Sequence, residues 1–477
     1  MFKRRKQEEI QLDFLISALH EGMFISTEEV LQWMKKQNTE VQTSINQIPI
    51  SQLRGWQYRD DRIRHNSGHF FSIDGIHIQT NYRDVNIWDQ PIINQPEIGF
   101  LGFLVKKFNG ILHFLMQAKI EPGNLNIVQL SPTLQATRSN YTRVHQGAYP
   151  KYLEYFTGEK NVTVLVDQLQ SEQGARFLHK RNRNIIVEID TDEEIPIYEG
   201  FIWISLRQIK DLISYPNVLN MDTRTVISCI TYGNYSEHAL KLMCLAQTQN
   251  NKISSDYMYS VLNANNHLHD LNDIIQWITS LKFKYELEVS PIGISKMKHW
   301  IYDGDTIYHE NHKYFDVIGV NVQIGNREVI SWDQPMIRSA QKGLIGFIVK
   351  KINGIYHFLV QAKLEAGNFD IVEMAPTVQC LTGNYRKGEN EYTIPYLKYI
   401  LTAKPEQIWY STYQSEEGGR FYQEQNLNII VEVEENFPIE VEENYCWMTL
   451  NQMMSFVSYN NYLNIAARSL LSAIKFI

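Results

Sequence analysis

The sequence has few cysteines, no long apolar segment and no surplus of basic charge. Its cysteines, Cys229, Cys244, Cys380 and Cys446, lie far apart and form no CxxC pair, so neither a disulfide framework nor a zinc site is expected. No apolar run reaches the roughly 18 residues that a membrane-spanning helix needs. The net charge of −8 argues against a general nucleic-acid binder, because such binding depends on a basic surface. An anionic small ligand remains compatible with this charge, since it needs only a local basic pocket.

The amino-terminal end also lacks the features of a secretion signal. The segment MFKRRKQEE is basic, but neither an apolar run nor a small-residue cleavage site follows it. We therefore expect a cytoplasmic protein in which residues 1–25 form a helical N-terminal extension.

The chain contains an internal duplication. Its 477 residues exceed what one core usually supports, and the WDQP motif at Trp88 returns at Trp332, 244 residues later. Between 88–128 and 332–372, 25 of 41 positions are identical without a gap. The same offset relates SEQGARF from Ser171 to SEEGGRF from Ser415. The sequence thus predicts two homologous units, 26–230 and 270–477, joined by a linker over 231–269.

Local patterns predict helices at both ends of each unit and strands between them. Ser26 followed by Glu29 fits a capping box before an apolar stripe. Asn109-Gly110 between two apolar runs predicts a hairpin. WISLRQIKDLI and VLNMDTRTVISCI are interpreted as closing helices. This order predicts an α+β fold with a mixed sheet in each unit.

The second strand of the predicted hairpin carries polar residues on one face. In HFLMQAK, alternation puts His113, Gln117 and Lys119 on the same side. The second unit repeats the pattern with His357, Gln361 and Lys363. Either the strand lines a polar site or this is an ordinary solvated face. The return of all three residue types favours the polar site.

Two further blocks contain candidate binding residues. Glu121, Gly123 and Asn124 form a turn that either directs amides and a carboxylate at a ligand or is simply a glycine turn. In the block from Ser171, Glu172 and Arg176 form either a helical ion pair or a ligand loop, and Glu416 and Arg420 are their counterparts. The first unit adds His179, Lys180, Arg181 and Arg183 here, a cluster that suits a diphosphate unless it is only a basic surface loop.

A fourth block, QATRSNYTRVHQG, shares Tyr141 with Tyr385 of the second unit, whereas Arg138, Arg143 and His145 occur in the first unit alone.

Together these blocks resemble the NDP-hexose 2,3-dehydratase family of deoxysugar biosynthesis over about residues 15–475. The resemblance implies a tandem Nudix-like fold and a homodimer. The glutamate-rich metal-binding box of Nudix hydrolases is absent from both units, so pyrophosphate hydrolysis is not expected.

The family resemblance also implies the substrate and the chemistry. The substrate would be a nucleotide-linked 4-keto-6-deoxyhexose, typically the thymidine diphosphate form. Its C3 proton is acidified by the C4 ketone, so a base, an oxyanion donor and an acid suffice. No redox cofactor and no metal ion are expected. A nucleotide-sugar pyrophosphate hydrolase and a non-catalytic nucleotide-sugar-binding protein remain the alternatives.

These requirements select candidate site residues. His113 or Glu172 would act as base or acid, and Lys119 and Tyr141 would donate to the sugar oxygens. The predicted substrate-binding set comprises Trp88, Gln117, Glu121, Asn124, Arg138, Arg143, His145, Arg176 and Lys180. The predicted pocket of the second repeat comprises Trp332, His357, Gln361, Lys363, Tyr385, Glu416 and Arg420. Because the first unit is the more cationic, we predict that it holds the chemistry.

Overall fold

A computed structural model describes residues 5–82, 85–137, 149–246, 252–325, 330–381 and 394–476. The helices of the first half (5–246) are α1 (Gln7–Leu19), α2 (Thr27–Glu40), α3 (Leu206–Leu212), α4 (Met221–Ser228) and α5 (Glu237–Ala246). Its strands are β1 (Thr43–Ile48), β2 (Trp56–Arg59), β3 (Arg62–His65), β4 (Ser72–Thr80), β5 (Ile87–Asn94), β6 (Phe100–Phe108), β7 (Ile111–Ile120), β8 (Val128–Ser131), β9 (Leu134–Ala136), β10 (Thr163–Ser171), β11 (Arg181–Glu188) and β12 (Phe201–Ser205).

The second half (252–476) repeats this order. Its helices are α6 (Lys252–Leu262), α7 (Leu271–Lys284), α8 (Leu397–Leu401), α9 (Leu450–Val457) and α10 (Ile465–Ser472). Its strands are β13 (Leu287–Ile292), β14 (Trp300–Tyr302), β15 (Thr306–His309), β16 (Phe315–Ile324), β17 (Ser331–Ser339), β18 (Gly343–Ile352), β19 (Ile355–Lys363), β20 (Glu373–Ala375), β21 (Val378–Leu381), β22 (Ile408–Ser415), β23 (Gln425–Glu432) and β24 (Tyr445–Thr449).

Each half contains a large mixed sheet. In the first half its order is β10-β11-β6-β7-β12, with β8 on β7 and β9 on β6. The β11–β6 pair is parallel, whereas β6–β7 and β10–β11 are antiparallel. The second half repeats it as β22-β23-β18-β19-β24 with β20 and β21. The predicted α+β class with a mixed sheet in each repeat is thereby confirmed.

The two halves exchange a strand. A smaller sheet of the first half, β4-β3-β2 with β5, is extended by β13 of the second half. Reciprocally, β1 of the first half pairs with β16 along its full length, from Thr43 opposite Ile324 to Ile48 opposite Gly319. Each small sheet is therefore completed by the other half, and this couples the two repeats through backbone hydrogen bonds.

Local signals in the sequence account for most element boundaries. Ser26 and Glu29 form the predicted capping box at the start of α2. Asn109 and Gly110 both adopt positive φ, +48° and +84°, which matches the turn of a tight hairpin between β6 and β7. The prediction for WISLRQIKDLI was partly wrong. Its first residues form β12, and the helix begins only after Ser205, whose side chain caps it.

A shared hydrophobic core joins the halves. One cluster of buried residues runs from Phe14 of α1 through Phe114 of β7 to Phe358 of β19 and Leu470 of α10. Helix α1 covers β7, where Ser17 Oγ donates to the Leu112 carbonyl (2.6 Å), and α6 covers β19 through Ser260 and Tyr356 in the same way (2.8 Å). Within the described ranges no helix has the length and apolar character to cross a membrane.

Candidate active site

A cavity of about 480 Å³ lies between the halves and is lined by both. The first half supplies Lys119 at the end of β7, Glu172 after β10, Lys180 before β11 and Asp222 in α4. The second half supplies, among others, Trp332, Glu417 and Arg420. Aromatic side chains complete the wall, including Trp56, Phe70, Phe71, Phe100 and Phe177. The volume falls within the range of small-molecule sites, roughly 300–1,000 Å³.

A glycine contact brings residues of the second half into this cavity. The Gly123 amide donates to the Gly418 carbonyl at 2.7 Å, and a Cβ on Gly123 would lie 1.7 Å from the Phe421 carbonyl oxygen. Gly123 therefore permits a close approach of two backbones, and it does not adopt the positive φ of a turn glycine. The reciprocal contact joins Gly367 to Gly174. As a result, the turn that carries Glu417 and Arg420 lies against the turn that carries Glu121.

Burial dominates the electrostatics of the cavity. It raises the pKa of Glu172, while Lys180 and Arg468 act in the opposite direction. Asn182 Nδ2 donates to the Glu172 carboxylate at 2.7 Å. Burial also raises the pKa of Glu417 to about 8, against the nearby positive charge of Arg420. At neutral pH Glu417 therefore keeps its proton and can donate it.

Two other groups titrate outside their usual range. Burial lowers the pKa of Lys180 to about 8, and Glu172 partly opposes the shift. Burial raises the pKa of Asp222 well above its usual value, and the negative charges of Glu417, Glu121 and Glu172 add to the effect. Strongly perturbed groups that line one cavity are typical of sites of acid–base chemistry.

A hydrogen-bonded chain orders the floor around Lys119. Its ammonium donates to the Gln135 carbonyl at 3.2 Å. The Gln135 amide donates to Glu121 at 2.7 Å and accepts from Asn220 at 3.1 Å. Sequence reasoning missed Gln135, Asp222 and Glu417. Gln135 recurs as Gln379 and was detectable from the repeat, whereas Asp222 and Glu417 are replaced by Ala466 and Gln173 and carried no such signal.

The position of His113 does not support its predicted role as an acid or base. His113 is fully buried in β7, and its Nε2 accepts from the Met23 amide at 3.2 Å. Its ring lies against Phe24 and Phe108. His113 and Lys119 share a strand face but stand six residues apart, roughly 20 Å along the strand. His357 has the same role, accepting from the Leu268 amide at 3.0 Å, and this position does not support its assignment to a second pocket.

The structure does not bring Glu172 and Arg176, which are candidates from the same sequence block, into one site. Their segment is a turn, not a helix, and it directs the two side chains to different places. Glu172 lines the cavity, whereas Arg176 stacks on Phe315 and interacts with Glu365, Glu416 and Glu424. Arg420, assigned to the second repeat, lines the cavity with Glu172 and stacks on Phe71.

The predicted tryptophans are likewise exchanged between the sites. Trp332 lines the cavity with first-half residues, and its indole N–H donates to Gln334 at 2.8 Å. Trp88 makes the matching bond to Gln90 at 2.9 Å but packs near Ala366 of the second half. The cavity thus combines Lys119 and Glu172 of the first half with Trp332 and Arg420 of the second half.

Several predicted polar residues serve the fold. Among the described residues that line the cavity, neither Gln117 nor Asn124 occurs, whereas Glu121 does. Asn124 donates to the Ile127 carbonyl at 3.0 Å within its own turn. Gln361 is buried and donates to the Pro376 carbonyl at 2.9 Å. The binding roles predicted for Gln117, Asn124 and Gln361 are therefore not supported by these positions.

Of the predicted basic cluster, Lys180 lines the cavity. Arg183 forms a two-pronged ion pair with Asp167 (2.6 and 2.7 Å), and Arg181 lies over the Phe369 ring. The cluster predicted from the sequence therefore does not converge on one point. The candidates Arg138, Tyr141, Arg143, His145 and Tyr385 lie outside the described residues.

A second cluster repeats the cavity's arrangement with the contributions of the two halves exchanged. We define it as Lys363, Glu365, Glu416, Glu424 and Arg176, the residues equivalent to Lys119, Glu121, Glu172, Lys180 and Arg420. Burial raises the pKa of Glu416 to about 7, and Glu424 adds to the shift. Within the ranges that the structure describes, no group of three or more His, Cys, Asp or Glu side chains could hold a metal ion.

The duplicated α+β halves share a cavity in which buried carboxyl groups lie beside cations, an arrangement typical of enzyme sites for acid–base chemistry. The family model for NDP-hexose 2,3-dehydratases matches this chain twice, over residues 27–230 and 271–474. The chain therefore belongs to the NDP-hexose 2,3-dehydratase family, which confirms the expectation from the sequence blocks.

Three curated relatives cover nearly the whole chain. All carry the name dTDP-4-dehydro-6-deoxy-alpha-D-glucopyranose 2,3-dehydratase. The protein from Saccharopolyspora spinosa is 41% identical over 97% of this chain and 94% of its own length. Those from Streptomyces violaceoruber and Amycolatopsis orientalis are 40% and 37% identical over 93% and 96% of this chain, and the aligned regions span 96% and 92% of the relatives.

Proposed function

We propose that this chain removes water from a dTDP-linked 4-keto-6-deoxyglucose and forms the 3,4-diketo-2,6-dideoxy sugar. The observation that carries the proposal is that the family match spans both repeats, whose facing turns build one cavity with buried carboxyl groups, Lys119, Lys180 and Arg420. The names of the three relatives support the choice of nucleotide and sugar.

The reaction divides into three steps. A base takes the C3 proton, and the electrons of the C–H bond form a C3–C4 double bond with negative charge on the C4 oxygen. The enolate electrons then return to form a C2–C3 double bond, and the C2 hydroxyl leaves as water after an acid protonates it. The resulting enol takes a proton at C2 and loses the O3 proton. One water is released, and the oxidation at C3 balances the reduction at C2.

We assign the base to Glu172 and the acid to Glu417. Burial raises the pKa of Glu172, while the positive charges of Lys180 and Arg468 favour its ionised, proton-accepting form. Glu417 has a pKa raised by burial to about 8, so it carries its proton at neutral pH. The two carboxyl groups come from different halves, and the sugar would lie between them.

The cations of the cavity would stabilise the negative charges of the substrate and of the reaction intermediate. Lys119, at the end of β7, is proposed to donate to the C4 oxygen as charge develops there. Lys180 and Arg420 are proposed to bind the diphosphate, since a guanidinium and an ammonium group suit phosphate oxygens. Tyr141, Arg138, Arg143 and His145 remain candidates on sequence grounds for the same two tasks.

Mass spectrometry of the sugar nucleotide tests the function directly. The protein is incubated with dTDP-4-keto-6-deoxyglucose in excess chelator, and the nucleotide is followed over time. Loss of one water from the intact sugar nucleotide is expected. Early release of free nucleotide would indicate a hydrolase, and an unchanged, bound substrate would indicate a binding protein. Because the Nudix metal box is missing from the sequence, the rate should not rise on adding a divalent ion.

We further propose that the fold is Nudix-like and that the protein acts as a cytoplasmic homodimer. The mixed sheet flanked by helices in each half is compatible with the first point. A comparison of an experimental structure of either half with Nudix hydrolases would test the fold. Light scattering at working concentration would test the dimer, and a mass of 55.9 kDa, that of one chain, would contradict it.

A further inference from the structure

Two fully buried arginines lie outside the cavity, at the contact between the halves. Arg224 of α4 is 1% exposed and Arg468 of α10 is 0% exposed. Helices α4 and α10 pack against each other, and each arginine donates through Nε to a hydroxyl of the other helix. Arg224 reaches Ser469 at 2.9 Å, and Arg468 reaches Thr225 at 3.3 Å. Burying such a charge is costly unless each donor finds an acceptor, which suggests that both have a specific task.

Arg468 belongs to the second half and contacts Ser171 of the first half, the residue that precedes Glu172. Its Nη2 donates to the Ser171 carbonyl (2.5 Å), and its Nη1 donates to the Leu463 carbonyl and, at 3.5 Å, to Ser171 Oγ. The Ser171 carbonyl belongs to the peptide bond that joins it to Glu172. The Glu172 amide is held in turn by the Lys180 carbonyl at 2.9 Å. The backbone that carries Glu172 is therefore fixed from both sides.

Arg224 makes the mirror-image contacts in the second half. It donates to the Ser415 carbonyl, which precedes Glu416, and to Gln414 Oε1 at 3.0 Å. The two serines that precede these glutamates have different partners. Ser171 Oγ donates to the carboxylate of Glu373 at 2.9 Å, whereas Ser415 Oγ contacts the neutral Gln129 at 2.9 Å. The two arginines thus hold equivalent stretches of backbone, Arg468 next to Glu172 in the cavity and Arg224 next to Glu416 in the second cluster.

We infer that Arg468 is a positioning residue of the dehydration, which holds the Glu172 peptide from the opposite half and keeps a positive charge behind its carboxylate. The inference rests on the proposed function, because it takes Glu172 as the base. It explains why α10 must carry an arginine at this buried position. A lysine would keep the charge but lose the fork that reaches Ser171 and Leu463 together.

Several charged groups face Glu172, so the effect of Arg468 has to be separated from theirs. Lys180 and Arg468 act as cations on it. The negative charge of Glu172 in turn raises the pKa of Asp222, Glu416 and Glu417. Removing Arg468 leaves the other groups in place, so the ionised form of Glu172 loses one of its two cationic supports. The pH at which the base gains its proton should then rise.

The test compares R468Q, R468K and R224Q for kcat as a function of pH, with melting temperatures to confirm folding. Residues 222 and 224 are two apart in α4, about 200° around the helix, so R224Q should leave Asp222 in place. In R468Q we expect kcat to fall about tenfold or more, and the acid limb to move up by about half to one pH unit. R468K should return the limb towards its original pH with only partial recovery of kcat. R224Q should lose similar stability but keep the wild-type pH profile.

Other outcomes overturn the inference. An unmoved acid limb in R468Q, or equal shifts in R468Q and R224Q, would show that the arginines only stabilise the interface. If R468Q does not fold, R468K decides the question, because an unchanged kcat there would remove the need for the fork. E172Q separates this from the proposed function. If E172Q retains turnover, the assignment of the base is wrong, and if E172Q is inactive while R468Q behaves like wild type, the inference alone fails.

Discussion

The cavity and the second cluster are two copies of one framework with different charges. Both keep a lysine at the end of a central strand and a glutamate in the turn that follows Ser171 or Ser415. Both also keep an arginine stacked on a phenylalanine, with the guanidinium carbon 4.2 Å from the ring centroid for Arg420 and 4.0 Å for Arg176. They differ where the cavity has Lys180, Asp222 and Glu417, since Glu424, Ala466 and Gln173 are the equivalents in the second cluster.

The residues that hold the shape of the site are retained in both copies, whereas several residues that could take part in the chemistry are replaced. The retained residues include those that hold the framework, such as the glycines at the backbone contacts and the Gln135–Glu121 bond, which recurs as Gln379–Glu365 at 3.0 Å. The replaced residues include three titrating groups, Lys180, Asp222 and Glu417, whereas Lys119 and Glu172 are retained. Arg420 Nε donates to Gln95 at 3.2 Å, while Arg176 Nε, with Ser339 in place of Gln95, has no hydrogen-bond acceptor among the described residues. The proposal that the cavity performs the reaction follows from these differences.

The largest expected effect distinguishes the two sites by their equivalent glutamates. E172Q should lower kcat by roughly 10²–10⁴-fold, because an amide cannot accept the C3 proton. E416Q should stay within a few-fold of wild type. Steady-state turnover and nucleotide binding of both variants provide the measurement. Loss of turnover in E416Q with normal activity in E172Q would assign the reaction to the second cluster.

A second variant tests the acid that the second cluster lacks. Glu417 must be protonated to act, so kcat should fall as pH rises through about 8, the pKa to which burial raises this group. In E417Q we expect kcat to drop about 10²-fold and the remaining activity to lose this alkaline fall. Lys180 loses its charge in the same pH range, but as a diphosphate ligand it should affect KM. An alkaline limb in kcat that persists in E417Q would contradict the assignment. Gln173→Glu, the matching change in the second cluster, should give no gain in kcat.

The two strand-end lysines provide a comparison of intermediate size. K119A should reduce kcat by about 10–100-fold by removing the proposed donor to the C4 oxygen. Lys119 is half-buried at the end of β7, so its free energy of unfolding should change by less than about 1 kcal/mol. K363A should resemble wild type in kcat. Denaturation and kinetics on the same samples are needed, and a large loss of stability with normal specific activity would make Lys119 structural.

The smallest effect on activity is expected at the buried histidines, where the two halves should behave alike. His113→Phe and His357→Phe each remove the acceptor of a backbone amide and should cost about 1–3 kcal/mol of unfolding free energy. Burial lowers the pKa of His357 to about 4 and lowers that of His113, so both rings are neutral acceptors at pH 7. A fall in kcat for well-folded His113→Phe would return His113 to the reaction.

Much of the fold could be predicted because its signals are local. The capping box of Ser26, the hairpin turn at Asn109-Gly110 and the start of α4 at Asn220 depend on residues close in sequence. The alternation in β7 was also correct, but it did not distinguish a polar site from a buried strand. His113 and Lys119 share a face, yet one end of the strand is covered by the segment around Met23 and the other opens on the cavity.

The sequence by itself determined the duplication, much of the secondary structure and the family, because repeats, caps and long motifs are written in consecutive residues. The tertiary structure decided which residues meet. Glycine contacts direct each turn from Ser171 or Ser415 into the opposite half, so Glu172 lies with Arg420 and Glu416 with Arg176. No pattern within either repeat specifies this exchange. It arises from backbone approaches between residues more than 200 positions apart, such as Gly123 and Gly418 at 2.7 Å.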